Sequence, residues 1–227
     1  MNALEVKECL LNAGVNHLYH ANTVATAISF INHGGLISRE AMEKMNLPQT
    51  EQQSDDLDKA LGIYNDIFFD SVDIHKQVRD VNNYGPIVFV YSIDVLDEVF
   101  EYDIGVTYDN PIRWTVDMPH AKRYLQAQED FFFYRKGDFT QHITVRNIDL
   151  PLSFEHIEKI IIDYPGKERE KYFNDAISEI NSSIYKNNLN IPIEIRECPD
   201  FCRCKDRYRL FKEGYTFHRF KLSIWEK

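Results

Sequence analysis

The sequence predicts an α+β fold, because helical and strand patterns are interspersed without the regular strand–helix alternation of a doubly wound sheet. The clearest strand is 86–92 (PIVFVYS), which is rich in β-branched and aromatic residues and is apolar on both faces. The clearest helix is 167–187, in which Phe173, Ile177 and Ile184 lie at helical spacing. These two segments indicate a buried central strand and an amphipathic helix that packs against a core.

The composition is that of a globular protein. The 227 residues include 15 Phe, 13 Tyr and 2 Trp, which is enough large apolar surface for a sizeable core. No internal repeat or linker interrupts the pattern, so we expect one domain over residues 1–227. No apolar run is long enough to span a bilayer, and the N-terminus lacks the basic-then-apolar layout of a signal peptide. We therefore expect a cytoplasmic protein without a membrane partner.

The first third of the chain carries most of the helix predictions. Residues 3–13 place Val6 and Leu10 at helical spacing, and Gly14 ends that helix. Capping residues and glycines mark the boundaries of the next elements. The pattern predicts a strand at 16–20, a helix from Asn22 or Thr23 to Gly34-Gly35, and short helices that begin at Ser38 and Ser54.

Short strands dominate the predictions for the rest of the chain. Alternation over 139–145 puts Gln141 on one side of a strand and His142 on the other. A helix is predicted to begin after Pro119. Further strands, or short apolar runs typical of strands, are predicted at 67–69, 104–108, 112–116, 160–162, 191–195 and 215–225.

The charge distribution constrains the partners. A net charge of −10 argues against broad, nonspecific binding to nucleic-acid phosphates. The segment 203–212 is nevertheless basic, with Arg203, Lys205, Arg207 and Arg209 inside an acidic chain. A solvated surface explains that segment better than a nucleic-acid contact does.

The cysteines do not form a recognisable metal motif. Cys198, Cys202 and Cys204 have the spacing C-x3-C-x-C, and His218 follows. Zinc sites usually take four ligands in two pairs, whereas this cluster offers three thiols in an irregular pattern. Asp70, Asp73 and His75 also lie close together in sequence, but such groupings are common by chance. We therefore predict reduced thiols and no metal.

Several enzyme classes are excluded by missing motifs. The chain has no glycine-rich phosphate loop, no serine-hydrolase elbow and no kinase signature. What remains is His20 at the end of a short strand, followed by an apolar helix, the segment 34–39 (GGLISR) and, later, the aromatic strand 86–92. Taken alone, a histidine at a strand end is usually a satisfied polar residue, and Gly34-Gly35 is explained by a helix terminus.

The order of these segments resembles the DarT-like ADP-ribosyltransferases. Residues 18–23 (LYHANT), an apolar helix and 34–39 (GGLISR) are similar to the opening of that family. Residues 73–79 (DIHKQVR) and 85–92 (GPIVFVYS) are similar to its Ile-Lys-x-x-Arg segment and the aromatic strand after it. The resemblance covers about the first 95 residues. It implies an ADP-ribosyltransferase-like split mixed sheet with flanking helices, and NAD as co-substrate.

The resemblance also implies roles for particular residues. His20 would bind the adenosine ribose of NAD, beside Asn22, where the family often has Thr. A glycine would allow the backbone to approach the cofactor, and aromatic rings would hold the flat nicotinamide. An arginine would lie near phosphate or base. Gly35 would be this glycine, Phe89 or Tyr91 the aromatic ring, and Arg79 the arginine. Each of these residues is also compatible with a purely structural role.

The catalytic carboxylate that the resemblance implies has more than one match in this sequence. Cleavage of the nicotinamide–ribose bond builds positive charge on the sugar, which a nearby carboxylate stabilises. The family has a Glu at the start of a late strand, often before Phe. Glu129 is the preferred match, Asp138 precedes Phe139 as an alternative, and Gln141 could occupy the position without supplying the charge.

The resemblance implies a transferase that modifies nucleic acid, DNA or RNA, as a bacterial toxin or phage-defence effector with an antitoxin partner. A protein target is the alternative within that class. Two other functions stay open: a catalytically degenerate domain that binds NAD or a partner, and an RNA 2′-phosphotransferase. The latter needs several basic residues around a phosphate, and only Arg39 and Arg79 fall near the expected pocket.

Overall fold

The computed structural model describes residues 1–77, 83–197, 202–204, 206, 208 and 213–223. Their strands are β1 His17–Asn22, β2 Gly35–Leu36, β3 Ile67–Phe69, β4 Ile87–Ser92, β5 Ile104–Val106, β6 Ile143–Val145, β7 Leu152–Ser153, β8 Ile157–Asp163 and β9 Ile193–Arg196. Their α-helices are α1 Ala3–Asn12, α2 Val24–Asn32, α3 Arg39–Lys44, α4 Asp55–Leu61, α5 Ile74–Gln77, α6 Val95–Glu98, α7 His120–Arg123, α8 Glu170–Lys186 and α9 Glu213–Phe220. Short 3₁₀ helices cover Pro111–Arg113, Gln128–Phe133 and Lys167–Arg169.

The strands form a split, mixed set of sheets with flanking helices, which confirms the predicted α+β class. The main sheet has the order β1-β4-β8-β9, a second sheet has the order β3-β6-β5, and β2 pairs with β7. Within the main sheet β1, β4 and β8 are antiparallel neighbours, whereas β8 and β9 run parallel. Strand β4 is therefore paired on both edges, as its continuous apolar sequence predicts.

The two faces of the main sheet have different surroundings. Side chains alternate between the faces, so Phe89 and Tyr91 of β4 share one face with Ile160 and Ile162 of β8. That face belongs to the large apolar core, to which α2 and α8 also contribute. The other face carries a small cluster around Val88, Val90 and Ile161.

A backbone bridge joins the second sheet to the main sheet. The Asp70 N–H donates to the Tyr19 carbonyl at 2.9 Å, and the Tyr19 N–H donates to the Asp70 carbonyl at 3.0 Å. This antiparallel bridge holds the chain just after β3 against the middle of β1. Tyr19 directly precedes His20, so the bridge brings the end of β3 next to the residue singled out by the sequence.

Gly35 allows the small β2–β7 sheet to form. It is buried and pairs with Ser153, and a Cβ at this position would collide with the carbonyl oxygen of Leu152. The preceding Gly34 has a φ of +75° and lets the chain leave α2 after its C-cap His33. The glycine pair therefore ends a helix and permits close backbone packing.

Most predicted elements are present. Helices α1, α2, α3 and α8 and strands β1, β4, β8 and β9 lie where the patterns indicate, and Ser38 caps α3 by accepting from the Ala41 N–H at 3.3 Å. Of the strand predicted at 139–145, only Ile143–Val145 forms. Among the described residues no helix is both long and apolar enough to cross a membrane.

Two strand predictions are wrong. A 3₁₀ helix, Pro111–Arg113, forms in place of the start of the strand predicted at 112–116. Pro111 is the first residue of this helix, and the Asn110 side chain caps it by accepting from the Ile112 N–H at 3.1 Å. The strand predicted at 215–225 is replaced by α9 as far as Phe220. Thr216 and Phe220, four residues apart, are both buried, so tertiary packing of one helical face overrides the β-propensity of the local sequence.

Candidate functional site

A cavity of about 500 Å³ lies beside the junction of the two sheets. This volume is within the range of sites that bind small molecules and cofactors. Its wall includes the end of β1, strand β3, the start of α3 and the loops before β6. The side chains that matter for its chemistry are His20, Asn22, Arg39, Phe68, Asp70 and His142.

His20 presents a hydrogen-bond acceptor to the cavity. Its Nδ1 lies 2.8 Å from the carbonyl oxygen of Phe68, and a carbonyl can only accept, so Nδ1 carries the proton. The other nitrogen, Nε2, therefore has a free lone pair. Burial lowers the pKa of His20, although the Phe68 carbonyl and the charge of Asp70 oppose that shift. His20 is thus a neutral imidazole with a fixed tautomer at physiological pH.

Asn22 places a donor beside that acceptor. The Oδ1 of this buried side chain accepts from the Thr23 N–H at 2.9 Å, which fixes the orientation of the amide. The amide nitrogen then faces His20 Nε2 across 3.5 Å, too far for a strong mutual bond. One acceptor and one donor consequently lie side by side on the cavity wall, two residues apart on β1.

Asp70 belongs to a second polar group in the cavity. One of its carboxylate oxygens lies 3.1 Å from His142 Nδ1, and His142 Nε2 lies 3.3 Å from the amide nitrogen of Asn110. The Asn110 Oδ1 accepts from the Ile112 N–H, so its NH₂ group donates to His142 Nε2. His142 therefore holds its proton on Nδ1, which lies close to the Asp70 carboxylate without a well-aligned hydrogen bond to it. Asp70 and His142 are both buried, and the Phe68 ring meets the imidazole edge-on at 6.2 Å.

Asp66 is a further buried carboxyl group at the cavity wall. Its Oδ1 accepts from the Asn147 N–H at 2.9 Å, and Arg146 Nε lies 3.8 Å from its other oxygen. Burial raises the pKa of Asp66 to about 7, against the lowering effect of the Asn147 N–H and Arg146. Asn147 has a φ of +50°, so Asp66 also stabilises an unusual backbone turn.

Arg39 lines the cavity but is already paired. Its Nε and NH2 groups each lie 2.6 Å from an oxygen of Asp55, and NH2 also donates to the Thr50 carbonyl at 3.1 Å. This close ion pair, with one hydrogen bond from NH2 to Asp55, balances the charge of the guanidinium. Arg79, the other cation expected near a phosphate, lies outside the described residues. The described arrangement of Arg39 therefore gives no support to an RNA phosphotransferase.

Three residues to which the resemblance gives a cofactor role do not line the cavity. Phe89 and Tyr91 are fully buried in the core, where Phe89 packs against Phe30 and Phe154 with ring centroids 5.8 Å apart. Burial keeps the pKa of Tyr91 well above its usual value. Gly35 contacts the β7 backbone and does not line the cavity. Packing of the core and of the β2–β7 backbone occupies the space around these three residues, to which the family resemblance gave a cofactor role.

The expected carboxylates are also not brought into the cavity. Glu129 is exposed on the 3₁₀ helix Gln128–Phe133. Asp138 accepts from the N–H and the hydroxyl of Thr140, which shapes a turn. Gln141 is buried, accepts from the Arg135 N–H at 2.7 Å and donates to a carbonyl. Asp138 and Gln141 therefore stabilise the loops before β6, and Glu129 lies on the surface of the same segment.

Sequence reasoning missed the group formed by Asp70, His142 and Asn110. Asp70 was noted only as a chance metal ligand, and His142 only as one side of an alternating strand. The three residues are at least 32 positions apart in the chain, and they belong to no sequence motif. The one available indication was a histidine next to Gln141, in the segment where the carboxylate was expected.

Comparisons with known proteins give only distant structural likenesses. No protein-family model and no curated protein matches the chain. The structure is similar to Thermus sp. 2.9 DarT in complex with ADP-ribosylated ssDNA, at 9% identity and a TM-score of 0.49, covering 83% of this chain and 97% of that one. It is also similar to the same protein in complex with NAD+ (9%, 83% and 98% coverage, TM-score 0.47) and with carba-NAD+ (10%, 83% and 98% coverage, TM-score 0.48). With TM-scores below 0.5, no residue role is transferred from these structures.

The raised pKa of Asp66 predicts a pH-dependent stability. A carboxyl whose pKa is higher in the folded than in the unfolded protein favours folding at low pH, and this contribution is lost as the pH rises towards 7. Asp66→Asn keeps the acceptor for Asn147 but cannot ionise. Its stability relative to wild type should therefore improve by about 2 kcal/mol between about pH 5 and about pH 8.

Urea unfolding at the two pH values measures this difference. Glu101→Gln, which removes one exposed carboxylate, controls for the change in net charge and should show no such improvement. Equal pH dependence in the Asp66→Asn and Glu101→Gln variants would contradict the assignment.

Proposed function

We propose that the cavity binds NAD and that the protein is an NAD-dependent ADP-ribosyltransferase. The single observation that carries this proposal is the pair formed by His20 Nε2 and the Asn22 amide nitrogen. Each hydroxyl of a ribose diol can both donate and accept. One hydroxyl donates to the histidine, while its neighbour accepts from the asparagine. This is the role that the resemblance of residues 18–23 implies for His20.

Aromatic side chains at the cavity suit the rest of the cofactor. Phe68 and Phe139 both line it, and each ring packs edge-on against His142, at 6.2 and 6.3 Å between centroids. Flat rings of this kind hold a nicotinamide by stacking or edge contacts. We assign to them the role that the resemblance implied for Phe89 or Tyr91.

Asp70 is the carboxylate that we assign to catalysis. When the bond between the ribose C1′ and the nicotinamide nitrogen breaks, the nicotinamide leaves with the electron pair and the sugar becomes positively charged. A buried carboxylate at the cavity wall stabilises that charge. The hydroxyl or amine of the target then attacks C1′ and loses its proton to the Asp70–His142 pair. Asp70 thus takes the role for which the resemblance made Glu129 the preferred match.

Exposed aromatic side chains in the segment before β6 favour single-stranded nucleic acid as the target. Phe132 is 76% exposed on the 3₁₀ helix Gln128–Phe133, and the guanidinium of Arg135 lies over its ring at 5.8 Å. Phe139, at the cavity, is 36% exposed. Stacking of unpaired bases on such rings needs few phosphate contacts, which is compatible with a net charge of −10. A nucleic-acid target also fits the toxin with an antitoxin partner that the resemblance implies.

His20→Leu should weaken NAD binding by about 10- to 100-fold, because it removes the ribose acceptor while filling the space against Phe30 and Phe69. Isothermal titration with NAD measures the dissociation constant, and circular dichroism checks the fold. His17→Leu, on the same strand but the opposite face, is the matched control and should bind NAD like wild type. Unaltered affinity in a folded His20→Leu protein would contradict the proposal.

Asp70→Asn should lower the rate of nicotinamide release by about 100-fold or more while changing the NAD dissociation constant only slightly. The amide keeps the size of the side chain but not its charge. Glu129→Gln should retain the wild-type rate. If Glu129→Gln is the inactive variant, our assignment of the carboxylate fails. Wild-type protein that binds NAD and never cleaves it would instead establish a degenerate binding domain.

Phe132→Ala should reduce transfer of label from NAD to nucleic acid while nicotinamide release continues. Labelled NAD would be offered with single-stranded DNA, with single-stranded RNA and with cell lysate, and the labelled product would be identified. Phe100→Ala, which removes a ring that is 64% exposed and lies outside the segment before β6, is the control. Label found only on protein would show that the target is not a nucleic acid.

A further inference from the structure

Three side chains with metal-binding atoms meet in the interior, outside the cavity. His75 of α5 and the residues Cys202 and Cys204 are buried, and their ligand atoms all lie within 4.8 Å of one another. His75 Nδ1 is 3.3 Å from Cys202 Sγ, although the two residues are 127 positions apart in the chain. The fold therefore assembles one nitrogen and two sulfur ligands from segments that the sequence keeps far apart.

The spacing of these atoms suits a tetrahedral metal ion. Zinc binds sulfur at about 2.3 Å and imidazole nitrogen at about 2.0 Å, so neighbouring ligand atoms in a tetrahedron lie about 3.5 to 3.8 Å apart. The His75–Cys202 separation of 3.3 Å is close to that edge length. Small side-chain adjustments would bring the cluster into coordination geometry.

The surroundings of His75 match those of a metal-binding histidine. Its Nε2 lies 2.9 Å from an oxygen of Asp163, which is fully buried. A carboxylate accepts, so Nε2 carries the proton and the lone pair of Nδ1 points towards the sulfurs. Metal-binding histidines commonly donate their second N–H to a carboxylate in this way, which fixes the ring and strengthens the ligand.

Asp163 is itself held in place. Arg196 Nε donates to its other oxygen at 2.6 Å, and the same guanidinium pairs with Asp73. Asp73 in turn accepts from the His75 backbone N–H at 3.1 Å. The orientation of the imidazole is therefore determined by a continuous chain of charged and polar contacts, as expected for the outer shell of a metal centre.

We propose that His75, Cys202 and Cys204 bind a zinc ion that joins the C-terminal part of the chain to α5. A mixed nitrogen and sulfur set in a dry interior is the environment that zinc prefers among common cellular metals. A cysteine nucleophile activated by His75 and Asp163 would have a similar arrangement. Burial of the Cys202 sulfur, however, keeps substrates away from it. His218, which follows the cysteines in sequence, is exposed on α9, and Cys198 lies outside the described residues.

The site has a structural consequence for the cavity. Ile74, the residue before His75, lines the cavity, and Asp73 and His75 flank it in sequence. A metal ion at His75 would hold this turn in place and stabilise the folded state by mass action. The ion is therefore expected to support the fold next to the cavity without taking part in its chemistry.

Metal titration tests the proposal. The full-length protein would be purified, stripped with a chelator under reducing conditions and titrated with Co²⁺, whose thiolate complexes have a distinctive charge-transfer absorption band. Wild type should bind one equivalent with that band. Cys202→Ser and Cys204→Ser should each weaken or abolish it, whereas Cys9→Ser, which changes a partly buried thiol on α1, should leave it intact. Asp163→Asn should weaken Co²⁺ binding by about 10- to 100-fold.

A second measurement guards against variants that simply fail to fold. Added Zn²⁺ should raise the Tm of stripped wild type and of Cys9→Ser, as followed by circular dichroism, and should not raise that of Cys202→Ser. The proposal is overturned if stripped wild type shows neither a thiolate–cobalt band nor a zinc-dependent Tm shift. It is also overturned if folded Cys204→Ser keeps the full band. Neither readout involves NAD.

Discussion

The structure depends on strand β1 being shared between two sheets. Over its whole length β1 pairs with β4, while Tyr19 exchanges two backbone hydrogen bonds with Asp70 at the end of β3. Backbone pairing of this kind allows little freedom, so it determines how far the sheets can separate. The cavity is the space left beside this junction. Its two polar groups, around His20 and around Asp70, are carried by the two strands that the bridge connects.

Burial of polar groups explains most of the local geometry. Neighbouring groups determine the tautomers of three histidines: His20 and His75 each donate one ring N–H to a fixed oxygen, and His142 accepts from the Asn110 amide. In each ring the unprotonated nitrogen therefore has a defined role. In the cavity that nitrogen faces Asn22 or Asn110, whereas in the proposed metal site it faces sulfur. The same constraint, that a buried polar group must have a partner, thus produces chemically different sites on different parts of one fold.

The sequence predictions are correct where local interactions determine the structure, and they fail where contacts with distant elements determine it. The strand 86–92 and the helix 167–187 were predicted correctly because their apolar periodicity reports burial directly. The segment 215–225 was predicted as a strand because its aromatic and β-branched residues favour one locally. It forms α9 instead, since packing against α2 and α8 decides the outcome there. Local propensity is a weak constraint where a short segment is held by distant partners.

The sequence by itself determined the α+β class, most of the helices and strands, and the place of His20 and Asn22 at a strand end before a helix. Only the tertiary structure decided which residues share a space with them. Asp70 and His142 meet across 72 positions of chain, and His75 meets Cys202 across 127. Periodicity does not reveal such pairs. It indicates which side chains are buried, but it does not indicate which distant strand or loop packs against them. The family resemblance implied a cofactor role for Phe89 or Tyr91, and only the structure shows that both side chains are buried in the core.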